Sequence, residues 1–275
     1  MLWSSAFRGT RRLVVGGTVT ETIVLTLSYD GVGFAGFARQ PGLETVQGRI
    51  ERALATTLRQ EVETVGAGRT DAGVHALAQV MSFSATGAEP EDRALMRSLN
   101  ALSRPGIVVT EVRRAPTEFS ARHSAIGREY RYRIVPGPIP PLFLSGRCWW
   151  VKHSLDLGAM RRSAESLLGE HDFRSFCVAE SAEGKRTIRR LDLIEIGPES
   201  QLGEHSIVIR VVGNAFLHSM IRIMVGSLVE VGLGRRPEEW LDEVLAACDR
   251  SVAGPTAPPE GLTLWHVEYP EECWL

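Results

Sequence analysis

Residues 22–58, TIVLTLSYDGVGFAGFARQPGLETVQGRIERALATTL, hold a strand, a turn and a helix in that order. Residues 22–28 (TIVLTLS) are short, apolar and β-branched, which is the composition of a buried strand, and Asp30-Gly31 marks the turn after it. From Thr45 the period changes. Val46, Ile50, Ala53, Leu54 and Leu58 recur at helical spacing, and Thr45 is placed to cap the first turn. Residues 79–84 (QVMSFS) and 107–113 (IVVTEVR) read as further strands, so the chain opens β-α-β with more strand to follow.

A second unit starts near Pro116. Residues 128–134 (REYRYRI) alternate, with Tyr130, Tyr132 and Ile134 on one face and Glu129, Arg131 and Arg133 on the other. Leu157, Met160, Ala164, Leu167 and Leu168 mark a helix that Gly169 stops. Residues 206–212 (SIVIRVV) form a strand, and Asn214 is expected to cap a long helix running to about Val231. Pro237-Glu238-Glu239 is expected to open another helix with proline in its first turn, and 262–268 (LTLWHVE) is a last strand. Strands and helices mix without strict alternation, and two units of similar content follow one another. The reading is an α+β protein with an N-terminal extension over 1–20, a first domain over 21–115 and a second over 116–275, with a cleft between them as the default site.

The extension carries Arg8, Arg11 and Arg12, no acidic residue and no signal-peptide core, and is expected to be flexible. At 275 residues, 44% hydrophobic, the chain is large enough for a substantial core without disulfide staples. Its four cysteines, Cys148, Cys177, Cys248 and Cys273, form no C-x-x-C pair, which fits a reducing, cytoplasmic setting. No apolar run reaches membrane-spanning length, so no membrane partner is expected. The net charge of -2 excludes a generally basic nucleic-acid coat, and any RNA contact must come from local clusters of Arg and Lys.

The segment that carries chemistry is 66–76, GAGRTDAGVHA. Its glycines let the backbone turn sharply and approach a ligand closely, which holds Asp71 near a pocket rather than on a solvated helix face. An Asp beside a glycine is also an ordinary turn residue, and the segment alone does not decide between the two. Its companions do. Tyr29-Asp30-Gly31, Gly36-Phe37 and Thr45-Val46-Gln47 precede it, and Ser120-Ala121-Arg122, Tyr130-Arg131-Tyr132 and Asp172-Phe173-Arg174-Ser175-Phe176 follow. Residues 214–222 (NAFLHSMIR) and Glu260-Gly261-Leu262 complete the series. In this order and spacing the blocks resemble the TruA-type tRNA pseudouridine synthases over roughly residues 21–270.

The resemblance implies a pseudouridine synthase fold of two tandem, ferredoxin-like halves that share an antiparallel sheet, with a central cleft. It implies isomerisation of uridine to pseudouridine in the tRNA anticodon stem-loop, at tRNA positions 38–40, by a homodimer without metal or cofactor. Asp71 takes the role of catalytic nucleophile, adding to uracil C6 or trapping ribose C1′; assisted elimination at C2′ is the other route. An enclosed carboxylate needs an opposite charge to stay ionised, and a buried arginine needs a partner; Arg222, on an otherwise apolar stretch, is matched to Asp71. Tyr130 corresponds to an active-site tyrosine that can stack on an extruded uracil and whose hydroxyl could assist loss of the C5 proton, with Tyr132 as the core residue of the pair. Leu262 corresponds to an apolar wall of the uracil pocket. Arg69 corresponds to the arginine that takes the space of a flipped base or holds its backbone. His75 is given no proton-transfer role.

Lys185-Arg186, Arg189-Arg190 and Arg235-Arg236 are candidate tRNA-backbone contacts. Where the family commonly has Gly-Trp-Gln, this chain has Gly36-Phe37-Ala38, which loses an indole donor and an amide and puts local packing or a peripheral RNA contact in doubt. The competing readings are a related synthase acting at other RNA positions and a tRNA-binding or tRNA-folding protein without catalysis. A metallohydrolase is a third, but the chain lacks an H-E-x-x-H pattern.

Overall fold

The computed structural model describes residues 21–275, so the extension read over 1–20 lies outside the described residues. The first part of the chain gives β1 (Glu21–Tyr29), α1 (Val46–Leu58), β2 (Val65–Gly66), β3 (His75–Ser84), α2 (Asp92–Ser103) and β4 (Ile107–Pro116). The second gives β5 (Gly127–Pro136), β6 (Trp149–Val151), α3 (Leu157–Glu165), β7 (Gly169–Asp172) and the single turn α4 (Ala179–Ala182). It continues with β8 (Ile188–Gln201), β9 (Glu204–Gly213), α5 (Met220–Gly232), α6 (Trp240–Ala247) and β10 (Leu262–Glu268). Mixed α and β elements are thus built on one large, mostly antiparallel sheet in the order β4-β1-β3-β10-β5-β9-β8-β7, with β2 beside β3 and β6 beside β5.

Local sequence explains the individual elements. Thr45 caps α1, its hydroxyl accepting from the Gly48 N–H, and the helix buries Val46, Ile50, Ala53, Leu54 and Leu58. On β5, Tyr130, Tyr132 and Ile134 are buried while Glu129, Arg131 and Arg133 are only partly so, as period-two alternation requires. The two parts of the sheet meet where β10 runs parallel to β3, at Thr263–His75 and Leu264–Ala76. The sheet is antiparallel except at this seam and where β6 pairs parallel with β5.

Other boundaries also move. α5 starts at Met220, not after Asn214, because the Asn214 amide is engaged elsewhere: its Oδ1 accepts from the Arg190 N–H of β8. Pro237 lies three residues ahead of α6 rather than in its first turn. α3 ends at Glu165, before Gly169, which instead opens β7. α2 and β8 were not expected.

In α5 every residue except Arg222 and Glu230 is buried. A helix apolar all round needs cover on more than one side. Part of it comes from residues 253–258. A Cβ on Gly226 would stand 1.8 Å from the Pro255 carbonyl oxygen, so only glycine admits this approach. Ser227 Oγ fixes the contact by accepting from the Gly254 N–H at 2.9 Å and donating to the Ile223 carbonyl at 2.9 Å.

Candidate active site

The loop between β2 and β3 is held at several backbone atoms. Gln79 donates to the Gly68 carbonyl, Arg128 to the Ala67 carbonyl, and the Phe37 N–H to the Thr70 carbonyl. The Tyr29 hydroxyl meets Thr70 Oγ1 at 2.8 Å, and burial pushes that phenol up to about 12 despite the hydrogen bonds from Thr70 and Gln79. Phe37, 2% exposed, packs so closely beneath the loop that a Cβ on Gly66 would lie 2.3 Å from its ring. The departure at position 37 is therefore a packing residue under the loop and not a surface for RNA.

Asp71 projects from this loop into an open cleft. Its walls include Arg69, Tyr130, Phe216, Met220 and Leu262. Arg222 Nη1 lies 2.7 Å from Asp71 Oδ2, and the Ser219 hydroxyl donates to the same oxygen at 2.9 Å. Arg222 Nε donates to the Ala257 carbonyl at 2.8 Å, which ties the guanidinium to the segment pressed onto α5. On the other oxygen, Oδ1, the neighbour is His218 Nε2 at 3.3 Å, from a side chain that is 53% exposed. The carboxylate is thus anchored through one oxygen, while the other has one solvent-facing neighbour.

Tyr130 stands edge-on to Phe216, with ring centroids 5.1 Å apart. Burial raises its phenol well above the ordinary tyrosine value, with Tyr29 and Asp71 pushing the same way and Arg128 opposing. Tyr132 is fully buried and its hydroxyl donates to the Pro258 carbonyl at 2.7 Å, which makes it a core residue. Leu262, 6% exposed, opens β10 opposite Tyr132 and forms an apolar wall. Arg69 is exposed at the mouth and forms no ion pair among the described residues. His75 is buried in a neighbouring network, with Nδ1 accepting from the Gly31 N–H and Nε2 at 3.0 Å from the Gly146 carbonyl.

Of the five residues singled out from sequence, Asp71, Tyr130, Arg69 and Leu262 line one cleft, and Arg222 reaches it through Asp71. Ser219 and His218 were missed as partners of Asp71, although both lie within the 214–222 block. Asp172-Phe173-Arg174-Ser175-Phe176 serves the core instead: Phe173 and Phe176 are fully buried, and Ser175 bridges the Val244 carbonyl and the Asp249 N–H. Among the basic clusters Lys185 and Arg186 are exposed, while Arg190 pairs with Asp192 and Arg235 with Glu230. Among the described residues no three His, Cys, Asp or Glu side chains gather as a metal site, and no helix is long and apolar enough to cross a membrane.

A carboxylate on a braced loop thus faces an aromatic and apolar cleft. The profile of the tRNA pseudouridine synthase family matches residues 26–123 and 163–270, and the chain belongs to that family. It is 42% identical over 250 residues to the tRNA pseudouridine synthase A of Burkholderia mallei, covering 91% of this chain and 90% of that one. The corresponding Brevibacillus brevis protein is 43% identical over 245 residues, covering 88% and 97%. That of Paraburkholderia phytofirmans is 43% identical over 252 residues, covering 92% and 91%.

Proposed function

We propose that this member of the family, an isomerase that converts uridine to pseudouridine in tRNA, acts on the anticodon stem-loop at tRNA positions 38–40 with Asp71 as nucleophile. The observation that carries the reading is the unequal treatment of the two Asp71 oxygens. Oδ2 is engaged by Arg222 and Ser219, which orients the group, and Oδ1, with only the solvent-facing His218 beside it, is the oxygen offered to the substrate.

In the reaction the N1–C1′ bond breaks, the uracil turns, a C5–C1′ bond forms, C5 loses its proton and N1 gains one. Nothing is oxidised or reduced, so the chemistry calls for no redox cofactor. Oδ1 would add to uracil C6 or ribose C1′, or assist elimination at C2′. The target base must first leave its stack; Tyr130 and Leu262 supply faces for it, and Arg69 holds the vacated position. Burial raises the Tyr130 phenol, which favours its use as a ring surface and hydrogen-bonding group over use as a phenolate base.

Two tandem ferredoxin-like units, 21–115 and 116–275, account for the topology. In the first, β4 lies beside β1, β1 beside β3 and β3 beside β2; in the second, β10, β5, β9 and β8 repeat that order. A homodimer sharing one tRNA fits a chain whose net charge is -2, since two subunits spread the positive contacts. Four free cysteines fit a cytoplasmic setting. The test is tritium release from tRNA labelled at uridine C5, without added metal or nucleotide. Wild-type protein is expected to release tritium and Asp71→Asn to release none. Release by both would remove Asp71 from the chemistry, and silence from the wild type would remove the anticodon-arm assignment.

A further inference from the structure

Ser219 sits where two local rules are broken at once. It is the N-cap residue of α5, a position where serine ordinarily accepts a hydrogen bond from the first turn, yet its side chain makes no such bond. Its backbone is left-handed, at φ 58° and ψ 11°, a conformation that serine adopts rarely and at a cost of order 1 kcal/mol or more. Both departures have one geometric result: the hydroxyl points across the cleft and donates to Asp71 Oδ2 at 2.9 Å. Arg222, three residues further along the same helix, approaches the same oxygen at 2.7 Å.

We infer that Ser219 is a positioning residue for the isomerisation, and that it selects which carboxylate oxygen reacts. This rests on the reading of Asp71 as nucleophile. One donor restrains Oδ2 from a single side and leaves the carboxylate room to librate about its Cβ–Cγ bond. Two donors from one rigid helix end hold Oδ2 in place and turn Oδ1 to the side where only the exposed His218 stands. Local strain at a site that the rest of the structure holds in place is the expected form of such a device. The Ser219 hydroxyl acts through Asp71, so its loss is expected to fall on the chemical step and not on tRNA binding.

The experiment compares Ser219→Ala, Ser219→Gly, Ser219→Asn and Asp71→Asn with wild type. It measures single-turnover tritium release, the Kd for tRNA and thermal melting. Ser219→Ala and Ser219→Gly are expected to slow release about tenfold or more, with Kd unchanged. Ser219→Gly, which relieves the left-handed strain, should melt no lower than wild type, a result that a purely structural role would not give. Asn tolerates this backbone and carries an N–H donor, so Ser219→Asn should recover most of the rate. Wild-type rates in both Ala and Gly variants, with Asp71→Asn silent, would overturn the positioning role and leave Asp71 standing. A rate loss that Asn does not rescue and that tracks a lower melting temperature in Ser219→Gly would also overturn it. Activity in Asp71→Asn would remove the reading underneath.

Discussion

Gly226→Ala tests whether the active site is held from behind. Gly226 lies one turn along α5 from Arg222, and the added methyl would stand 1.8 Å from the Pro255 carbonyl oxygen and 2.9 Å from its carbon. Backbone cannot swing aside as a side chain does, so residues 253–258 must retreat by roughly 1.5 Å to reach ordinary contact distance. Ala257 is in that segment, and its carbonyl is the acceptor that holds Arg222 Nε at 2.8 Å. A shift of that size breaks this bond and lets the guanidinium drift from Asp71. Overpacking of this kind costs about 2 kcal/mol, or a melting temperature lower by about 4–8 °C for a domain of this size. A displacement of ~1 Å at a catalytic group costs ~100-fold in rate. Single-turnover tritium release and thermal melting are measured beside Val244→Ala, which opens a cavity in α6 away from the cleft. Gly226→Ala should lose both stability and rate, and Val244→Ala stability alone. A destabilised Gly226→Ala that keeps the wild-type rate would refute the coupling through Ala257.

Arg222→Lys keeps the charge but offers one nitrogen where Nη1 and Nε now serve Asp71 and Ala257; the rate is expected to fall ~100-fold with KM little changed. Arg69→Ala removes an exposed side chain, so melting should move by less than ~0.5 kcal/mol equivalent, while tRNA affinity drops and the salt slope of log K falls by about 1. Burial raises the phenols of Tyr29, Tyr130, Tyr132 and Tyr269 above their ordinary value of 10.0, for Tyr29 to about 12. Unfolded chains ionise these groups first, so stability is complete below pH 10 and falls as pH rises toward 12, which melting curves across that range would show. For the same reason Tyr130→Phe should leave the shape of the pH–rate profile between about pH 7 and 9 unchanged; loss of an alkaline limb would restore a phenolate role.

What the sequence discloses follows from how far each interaction reaches. α1 is legible because cap and buried stripe both lie within Thr45–Leu58. α2 escapes because its buried apolar stripe is only Leu95 and Leu99, and β8 because Leu191 and Ile196 are its only buried residues over fourteen positions. The start of α5 is misplaced for a more instructive reason. Capping rules favour Asn214, but its amide is taken by Arg190 on β8; the residue that does stand at the cap, Ser219, has its hydroxyl on Asp71, 148 residues away in sequence. Neither partner is visible to a window of local pattern. Asp71 and Arg222 could be picked out singly, from a glycine-rich loop and from a lone charge on an apolar stretch, yet their contact depends on β3 and β10 meeting in parallel, a seam that no local signal announces. The segment 214–219 therefore departs from helix rules where its side chains are committed to other elements. Local expectation fails there because these side chains are bound to distant elements, Asn214 to β8 and Ser219 to Asp71.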